Sequence, residues 1–135
     1  MITGGNATVY VSNMDASIRF YSETLGLRLT NRFGDRWATV EAGTGLMIGI
    51  HPASPDYPAP GTKGSVMFGF EIDEPIEAAV ARLKAKGVRF TGDIVHGNGG
   101  SFASLVDPDG NPIYLWEVIE GLKGSSGTAE KTTAG

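Results

Sequence analysis

Side chains able to bind or transform a small molecule recur at every second position of four short segments. His51 and Glu71 could exchange protons with a ligand, because imidazole and carboxylate groups are common acid–base groups. Tyr114 and Trp116 offer ring faces on which a planar molecule can stack. The alternating set is Asn6, Thr8, Tyr10, Met47, Gly49, His51, Met67, Glu71, Tyr114 and Trp116, and Trp37 joins it from a neighbouring segment.

The intervening positions of the same segments are apolar. They are Val9, Val11, Ile48, Ile50, Phe68, Phe70, Ile72, Ile113 and Leu115. Successive strand residues point to opposite faces of a sheet, so this pattern predicts one face buried under helices and one mixed face. The mixed face suits a ligand cleft, which needs apolar walls and a few polar groups. Ordinary filling of a small barrel is the alternative, but a buried face would not normally combine Asn, His and Glu.

Two amphipathic segments predict helices. The first runs from about residue 15 to 25, with Ser12 or Asn13 as its N-cap and Gly26 at its end. The second runs from about 74 to 86, with Asp73 as its N-cap and Gly87 at its end. The remaining segments predict strands at 7–12, 27–33, 36–41, 46–51, 66–72, 88–95, 101–106 and 113–118.

The order of these elements repeats. At a shift of 61 residues "LGLRL" (25–29) lies over "KGVRF" (86–90), and at a shift of 65 "WATV" (37–40) lies over "FASL" (102–105). We therefore expect an α+β fold of two tandem βαβββ modules. They lie within a single domain, 1–122: module one is 5–51, a linker is 52–65, and module two is 66–119. The linker overlaps "HPASPDYPAPGTKG" (51–64), a connector or a lid, and 123–135 is a flexible tail.

Composition excludes several classes of function. The 135 residues carry a formal net charge of −4, which disfavours a nucleic-acid surface. No apolar run is long enough to cross a bilayer, so no membrane partner is expected. The chain has no cysteine, which rules out thiol catalysis and thiolate metal sites. With no visible signal peptide, we expect a cytoplasmic location.

Three stretches carry a resemblance to a known family: "VSNMDASIRFYSETLGLRL" (11–29), "FEIDEPIEAAVARLKAKGV" (70–88) and "SLVDPDGNPIYLWE" (104–117). They resemble the vicinal oxygen chelate superfamily, which includes glyoxalase I, extradiol dioxygenases, and fosfomycin- and bleomycin-resistance proteins. The likeness covers about residues 5–119. It implies two curved sheets that together form an open, barrel-like cleft with helices outside, a small-molecule ligand, and a homodimer.

Metal-dependent members of that family carry one ligand on each of four strands. The resemblance places these positions at Asn6, Gly49 (Met47 if the register slips), Met67 and Tyr114. None is His, Glu or Asp, so the resemblance implies a member without the family metal, and we expect no cofactor.

The sequence thus predicts metal-independent binding or sequestration of a small aromatic molecule, similar to the action of bleomycin-resistance proteins. The alternative is a lyase, isomerase or dioxygenase-like enzyme that uses an atypical metal site, or His51 and Glu71 for acid–base chemistry. The sequence assigns no catalytic residue.

Overall fold

The computed structural model describes residues 1, 6–62, 67–97 and 100–118. The chain divides into two compact units. The first is Met1–Val66 together with the turn Asp107–Asn111, and the second is Met67–Val106 together with Pro112–Gly135. The predicted tail, 123–135, and part of the predicted linker lie outside the described residues.

The first unit is a four-stranded sheet with one helix. Its strands are β1 (Ala7–Val11), β2 (Arg28–Phe33), β3 (Trp37–Ala42) and β4 (Leu46–Pro52). They stand in the order β1-β4-β3-β2, with β1 parallel to β4 and the other neighbours antiparallel. Helix α1 (Met14–Arg19) continues as a π-helical turn, Phe20–Thr24. The side chain of Asn13 accepts a hydrogen bond from the Ala16 N–H at 2.9 Å, so Asn13 is the N-cap.

The second unit repeats this plan with one addition. Its elements are β5 (Phe68–Ile72), α2 (Ile76–Ala85), β6 (Arg89–Phe90), β7 (Val95–Gly97), β8 (Gly100–Val106) and β9 (Pro112–Val118). The sheet order is β5-β9-β8-β6, and β7 also pairs with β8. The predicted strand over 88–95 is therefore wrong as a single element. "TGDI", 91–94, contains residue types that favour loops and separates β6 from β7.

The predicted N-cap of α2, Asp73, is also wrong. Pro75 occupies the N-cap position and offers no side-chain acceptor. Instead Glu117, on β9, accepts a hydrogen bond from the Ile76 N–H at 2.8 Å. A carboxylate beside the first N–H groups of a helix satisfies a free donor and complements the helix dipole.

The predicted α+β class and the tandem βαβββ plan are confirmed. The apolar face predicted from alternation is buried, with Ile72 half-buried at its edge. The other core residues of the sheets include Ala38, Val40, Ala103 and Leu105. Within the described residues, no helix is long and apolar enough to cross a membrane.

A buried carboxylate fixes the "DPDGN" turn in the first unit. Asp107 is 1% exposed and accepts hydrogen bonds from the N–H groups of Asp109 and Asn111, from the Asn111 amide, and from the Tyr21 hydroxyl at 2.9 Å. Asp109 in turn accepts from the main-chain N–H and the hydroxyl of Ser12. The turn is therefore bound both to the helix and to the end of β1.

Stability should fall at alkaline pH through Tyr21. Burial raises the pKa of Tyr21 well above its ordinary value, and the Asp107 charge raises it further. The folded protein therefore holds a proton that the unfolded chain releases above about pH 10. The stabilisation is complete below that pH and is lost as the pH rises towards the folded pKa. Urea unfolding at pH 8 and pH 11 should show the loss.

Matched variants separate Tyr21 from the other tyrosines. Tyr21→Phe should reduce the alkaline dependence of unfolding, whereas Tyr57→Phe, at a side chain 45% exposed, should leave it unchanged. Equal dependence in the two variants would contradict the role given to Tyr21.

Candidate functional site

On the face of the first sheet turned away from α1, three rings of the strands and one ring of the loop after β4 form a group in which His51 contacts the other three. We call Tyr10, Trp37, His51 and Tyr57 the first aromatic cluster. Tyr10 and Tyr57 are stacked, with centroids 4.8 Å apart and planes 12° apart. His51 meets Tyr10, Trp37 and Tyr57 edge to face, at centroid distances of 5.6, 6.2 and 5.2 Å. Such contacts hold rings in defined positions and leave outer faces on which a ligand can stack.

A glycine makes room for the indole of Trp37. Gly49 lies beside Thr39 and pairs with Thr8, in the centre of this face. A Cβ at Gly49 would lie 2.2 Å from Cη2 of Trp37, which is an impossible contact. The missing side chain at 49 therefore lets the indole lie directly on the sheet.

Polar groups border the first aromatic cluster. The Thr30 hydroxyl meets the Thr39 hydroxyl at 2.5 Å and lies 3.7 Å from Sδ of Met47. Arg28 pairs with Glu41 across the β2–β3 ladder. This face thus joins aromatic surface to hydroxyl and charged groups, the mixture expected of a ligand site.

The loop after β4 brings Tyr57 to the cluster. The Ala53 N–H donates to the Val11 carbonyl at 2.8 Å, and the Gly61 N–H donates to the Asn111 side chain at 2.8 Å. Gly61 has a φ of 80°, and a Cβ there would lie 2.3 Å from the Asp109 carbonyl oxygen. The described part of the loop is therefore fastened at both ends.

The second unit carries its own group of rings on the face turned away from α2. We call Phe102, Tyr114 and Trp116 the second aromatic cluster. Phe102 stacks on Trp116 with planes 2° apart and centroids 6.4 Å apart, and Phe102 lies 6.3 Å from Tyr114. Tyr114 covers Gly69, where a Cβ would lie 2.2 Å from Cζ of the phenol. A large ring over a glycine recurs in both sheets.

The structure divides the predicted ligand-binding residues between the two units. Those in the first unit are Asn6, Thr8, Tyr10, Trp37, Met47, Gly49 and His51, and those in the second are Met67, Glu71, Tyr114 and Trp116. Tyr10, Trp37 and His51 belong to the first aromatic cluster, and Tyr114 and Trp116 belong to the second. Gly49 is buried under the indole of Trp37. Asn6, Met67 and Glu71 are exposed, and Asn6 accepts a hydrogen bond from the Thr8 hydroxyl at 3.1 Å.

Sequence reasoning missed two members of the clusters. Tyr57 lies in a loop, where no periodicity indicates the direction of a side chain. Phe102 had a signal, because the repeat that places "FASL" over "WATV" puts Phe102 on Trp37. Each ring belongs to the cluster of its own unit, so the repeat extends to the site.

His96 faces the opposite side of its sheet from Tyr114. It pairs with Ser101, which pairs with Glu117, and Glu117 contacts the start of α2. Nδ1 of His96 lies 2.7 Å from the Ser101 hydroxyl, and Nε2 lies 3.3 Å from the Glu77 carboxylate. His96 therefore belongs with the N-terminal end of α2 and not with the second aromatic cluster.

The residues at the four positions where the family resemblance places metal ligands are poor donors for a metal ion. Gly49 has no donor and lies under an indole, and Met67 offers only a soft thioether at an exposed position. Tyr114 would have to bind as a phenolate, while Asn6 supplies a weak amide oxygen. Among the described residues no three His, Asp or Glu side chains converge on one point.

Comparison with known proteins places the chain in a family. Residues 5–115 match the Glyoxalase/Bleomycin resistance protein/Dioxygenase superfamily. The chain belongs to this superfamily. The predicted family is thereby confirmed. No protein in the curated set matches the chain significantly.

Solved structures similar to this superfamily member include two from Streptomyces sp. CB03234. One is TnmS3, an antibiotic binding protein, with 27% identity, a TM-score of 0.68, and coverage of 88% of this chain and 99% of that chain. The other is a glyoxalase/bleomycin resistance protein with 30% identity, a TM-score of 0.63, and coverage of 83% and 99%. Lactoylglutathione lyase from Agrobacterium tumefaciens shares the fold at 19% identity and a TM-score of 0.66, with coverage of 85% and 92%.

Proposed function

We propose that the protein binds a small, planar aromatic molecule without a metal ion and sequesters it without transforming it. The observation that carries the proposal is the pair of aromatic clusters on the sheet faces turned away from the helices. Tyr114, a cluster member, occupies the position where the family resemblance places a ligand in metal-dependent members. TnmS3, an antibiotic binding protein of similar length and fold, supports binding as the activity.

The donor chemistry favours binding over catalysis. Apart from His51, the rings of both clusters provide contact area but no strong acid or base, and Met47 adds an adaptable wall beside the first. The acid–base alternative depends on His51 and Glu71. Glu71 is exposed, and Nδ1 of His51 donates to the Pro52 carbonyl at 2.8 Å and not to a carboxylate that would stabilise a protonated ring. The net charge of −4 would attract a cationic aromatic ligand at long range.

Loss of a cluster ring should weaken binding of a planar probe. The expected cost of Tyr114→Ala is about 1–3 kcal/mol in binding of proflavine, a planar aromatic cation, because the ring supplies contact area in a desolvated site. Calorimetry gives the affinity, and in a Trp37→Phe background the emission of Trp116 should change as proflavine binds. Phe90→Ala is the matched control, since Phe90 pairs with the core residue Leu105 on the other face. Equal loss in both variants would refute the stacking role.

Removal of metal ions should have no effect. Protein purified without a histidine tag should contain no stoichiometric transition metal, and a chelator should leave its melting temperature unchanged. Elemental analysis and thermal unfolding provide the measurements. One tightly bound metal ion per chain, with destabilisation on chelation, would favour the enzyme alternative instead.

The partner in this proposal is a small molecule. A second copy of the chain is the expected protein partner, as the family resemblance implies. Closed two-fold pairs are the commonest oligomers, and solution mass at micromolar concentration measures this directly.

A further inference from the structure

We infer that His51 presents a bare Nε2 as a hydrogen-bond acceptor within the first aromatic cluster, and that the ligand is a planar aromatic molecule carrying a hydroxyl group. This inference rests on the proposed function and names the ligand class for the first unit. Its basis is the contact between Nδ1 of His51 and the Pro52 carbonyl oxygen at 2.8 Å.

A carbonyl oxygen can only accept, so Nδ1 must carry the proton in this contact. A neutral imidazole has one protonated nitrogen, which leaves Nε2 with a lone pair. Nδ1 is the nitrogen next to the carbon that joins the ring to the main chain. With Nδ1 held against the backbone, Nε2 lies at the far end of the ring.

The surroundings of His51 determine what can reach that lone pair. His51 is half-buried, and three rings surround it with centroids 5.2–6.2 Å away. None of the described residues donates a hydrogen bond to Nε2. A ligand that stacks on Tyr10, Trp37 or Tyr57 is therefore in reach of an acceptor, and a ring hydroxyl is the donor that fits it.

The polarity of the contact excludes a different ligand class. An aromatic ether or ketone presents only acceptors, and an acceptor opposite a lone pair gains nothing and loses a water hydrogen bond. A phenolic hydroxyl can donate to Nε2 while its ring stays in the stack. The site should therefore bind an aromatic ring with a donor substituent more tightly than the same ring with an acceptor substituent.

Two naphthalenes of similar shape test the preference for a hydroxyl donor. 2-Naphthol has the hydroxyl, and in 2-methoxynaphthalene a methyl group replaces the proton. At pH 8 the wild-type protein should bind 2-naphthol roughly three- to tenfold more tightly, the range for one net hydrogen bond. His51→Phe should bind the two compounds with equal affinity. Tyr10→Ala should weaken both, which shows that the measured binding reports on the first aromatic cluster.

The chain offers a matched control and a spectroscopic signature. His96 is the other of its two histidines and faces the opposite side of its own sheet, so His96→Phe should keep the preference for 2-naphthol. In that variant the single remaining imidazole has a Nε2 nitrogen resonance that should move with 2-naphthol and stay in place with 2-methoxynaphthalene.

The outcomes separate the two proposals. Equal wild-type affinity for the two compounds, with an unmoved Nε2 resonance, overturns the hydroxyl inference and leaves aromatic binding intact. Retention of the preference in His51→Phe also overturns it. Binding of neither compound overturns the inference, and if proflavine also fails to bind, the proposed function fails as well.

Discussion

A Leu115→Asp variant is expected to be unfolded at room temperature. Leu115 is 4% exposed in β9, between Phe70 of β5 and Ala103 of β8. The substitution removes about 1.5–3 kcal/mol of apolar burial and places an unpaired carboxylate in the core, at a cost of several kcal/mol more. A domain of this size is stable by only about 5–15 kcal/mol in total. Far-ultraviolet circular dichroism should show the loss of structure.

The neighbouring position supplies the control. Tyr114→Glu also introduces a carboxylate into β9, but on the half-buried face turned away from α2. It should fold, with reduced stability and weaker aromatic binding. It should not create a metal site, since Asn6, Gly49 and Met67 still lack strong donors. A folded Leu115→Asp beside an unfolded Tyr114→Glu would mean that the two faces of β9 are reversed.

Asp107→Ala is expected to cost roughly 3–5 kcal/mol of folding free energy. The carboxylate accepts four hydrogen bonds in a buried position, and its removal leaves two main-chain N–H groups, an amide and the Tyr21 hydroxyl without that acceptor. Each unsatisfied buried donor costs about 1–3 kcal/mol, reduced where water enters the space. Urea unfolding monitored by fluorescence measures the difference.

Two further variants test whether the destabilisation by Asp107→Ala comes from the lost hydrogen bonds. Tyr21→Phe removes one donor and keeps the acceptor, so it should cost about 1–2 kcal/mol. Asp56→Ala, at an exposed aspartate in the loop after β4, should change stability by less than about 0.5 kcal/mol. A cost for Asp107→Ala as small as that of Asp56→Ala would show that the turn does not hold the first unit together.

The fold could be predicted from the sequence because it rests on short-range patterns. Alternation separated Ile113 and Leu115 from Tyr114 and Trp116, and the internal repeat supplied the order of the elements. These signals lie within a few residues of one another or recur at a fixed shift. Burial of the apolar face follows from them with no further information.

Long-range hydrogen bonds account for what could not be predicted. The acceptor that caps α2 belongs to Glu117, 41 residues away from Ile76. Asp107 lies among residue types that are ordinary for a turn, and its hydrogen-bond partner Tyr21 is 86 positions earlier. No local pattern distinguishes a solvated turn aspartate from a buried one.

For the site, the sequence predicts which side chains share a face of the sheet. Alternation identified the side of each strand, but it does not specify which rings touch. Tyr57 reaches Tyr10 through a loop whose path depends on the contact between Gly61 and Asn111. The tautomer of His51 likewise depends on its contact with one main-chain carbonyl, which cannot be predicted from the sequence around His51.

The turn Asp107–Asn111 has a consequence for how such a chain can evolve. It is encoded within the second copy of the repeat, yet it completes the first unit by accepting the hydroxyl of Tyr21 and by engaging Ser12. A gene split after the first copy would yield a half whose core tyrosine has lost its acceptor. The first copy therefore depends on a turn that the second copy supplies, and the two copies are not interchangeable. Recombination that swaps one copy for a distant homologue must carry a compatible turn with it.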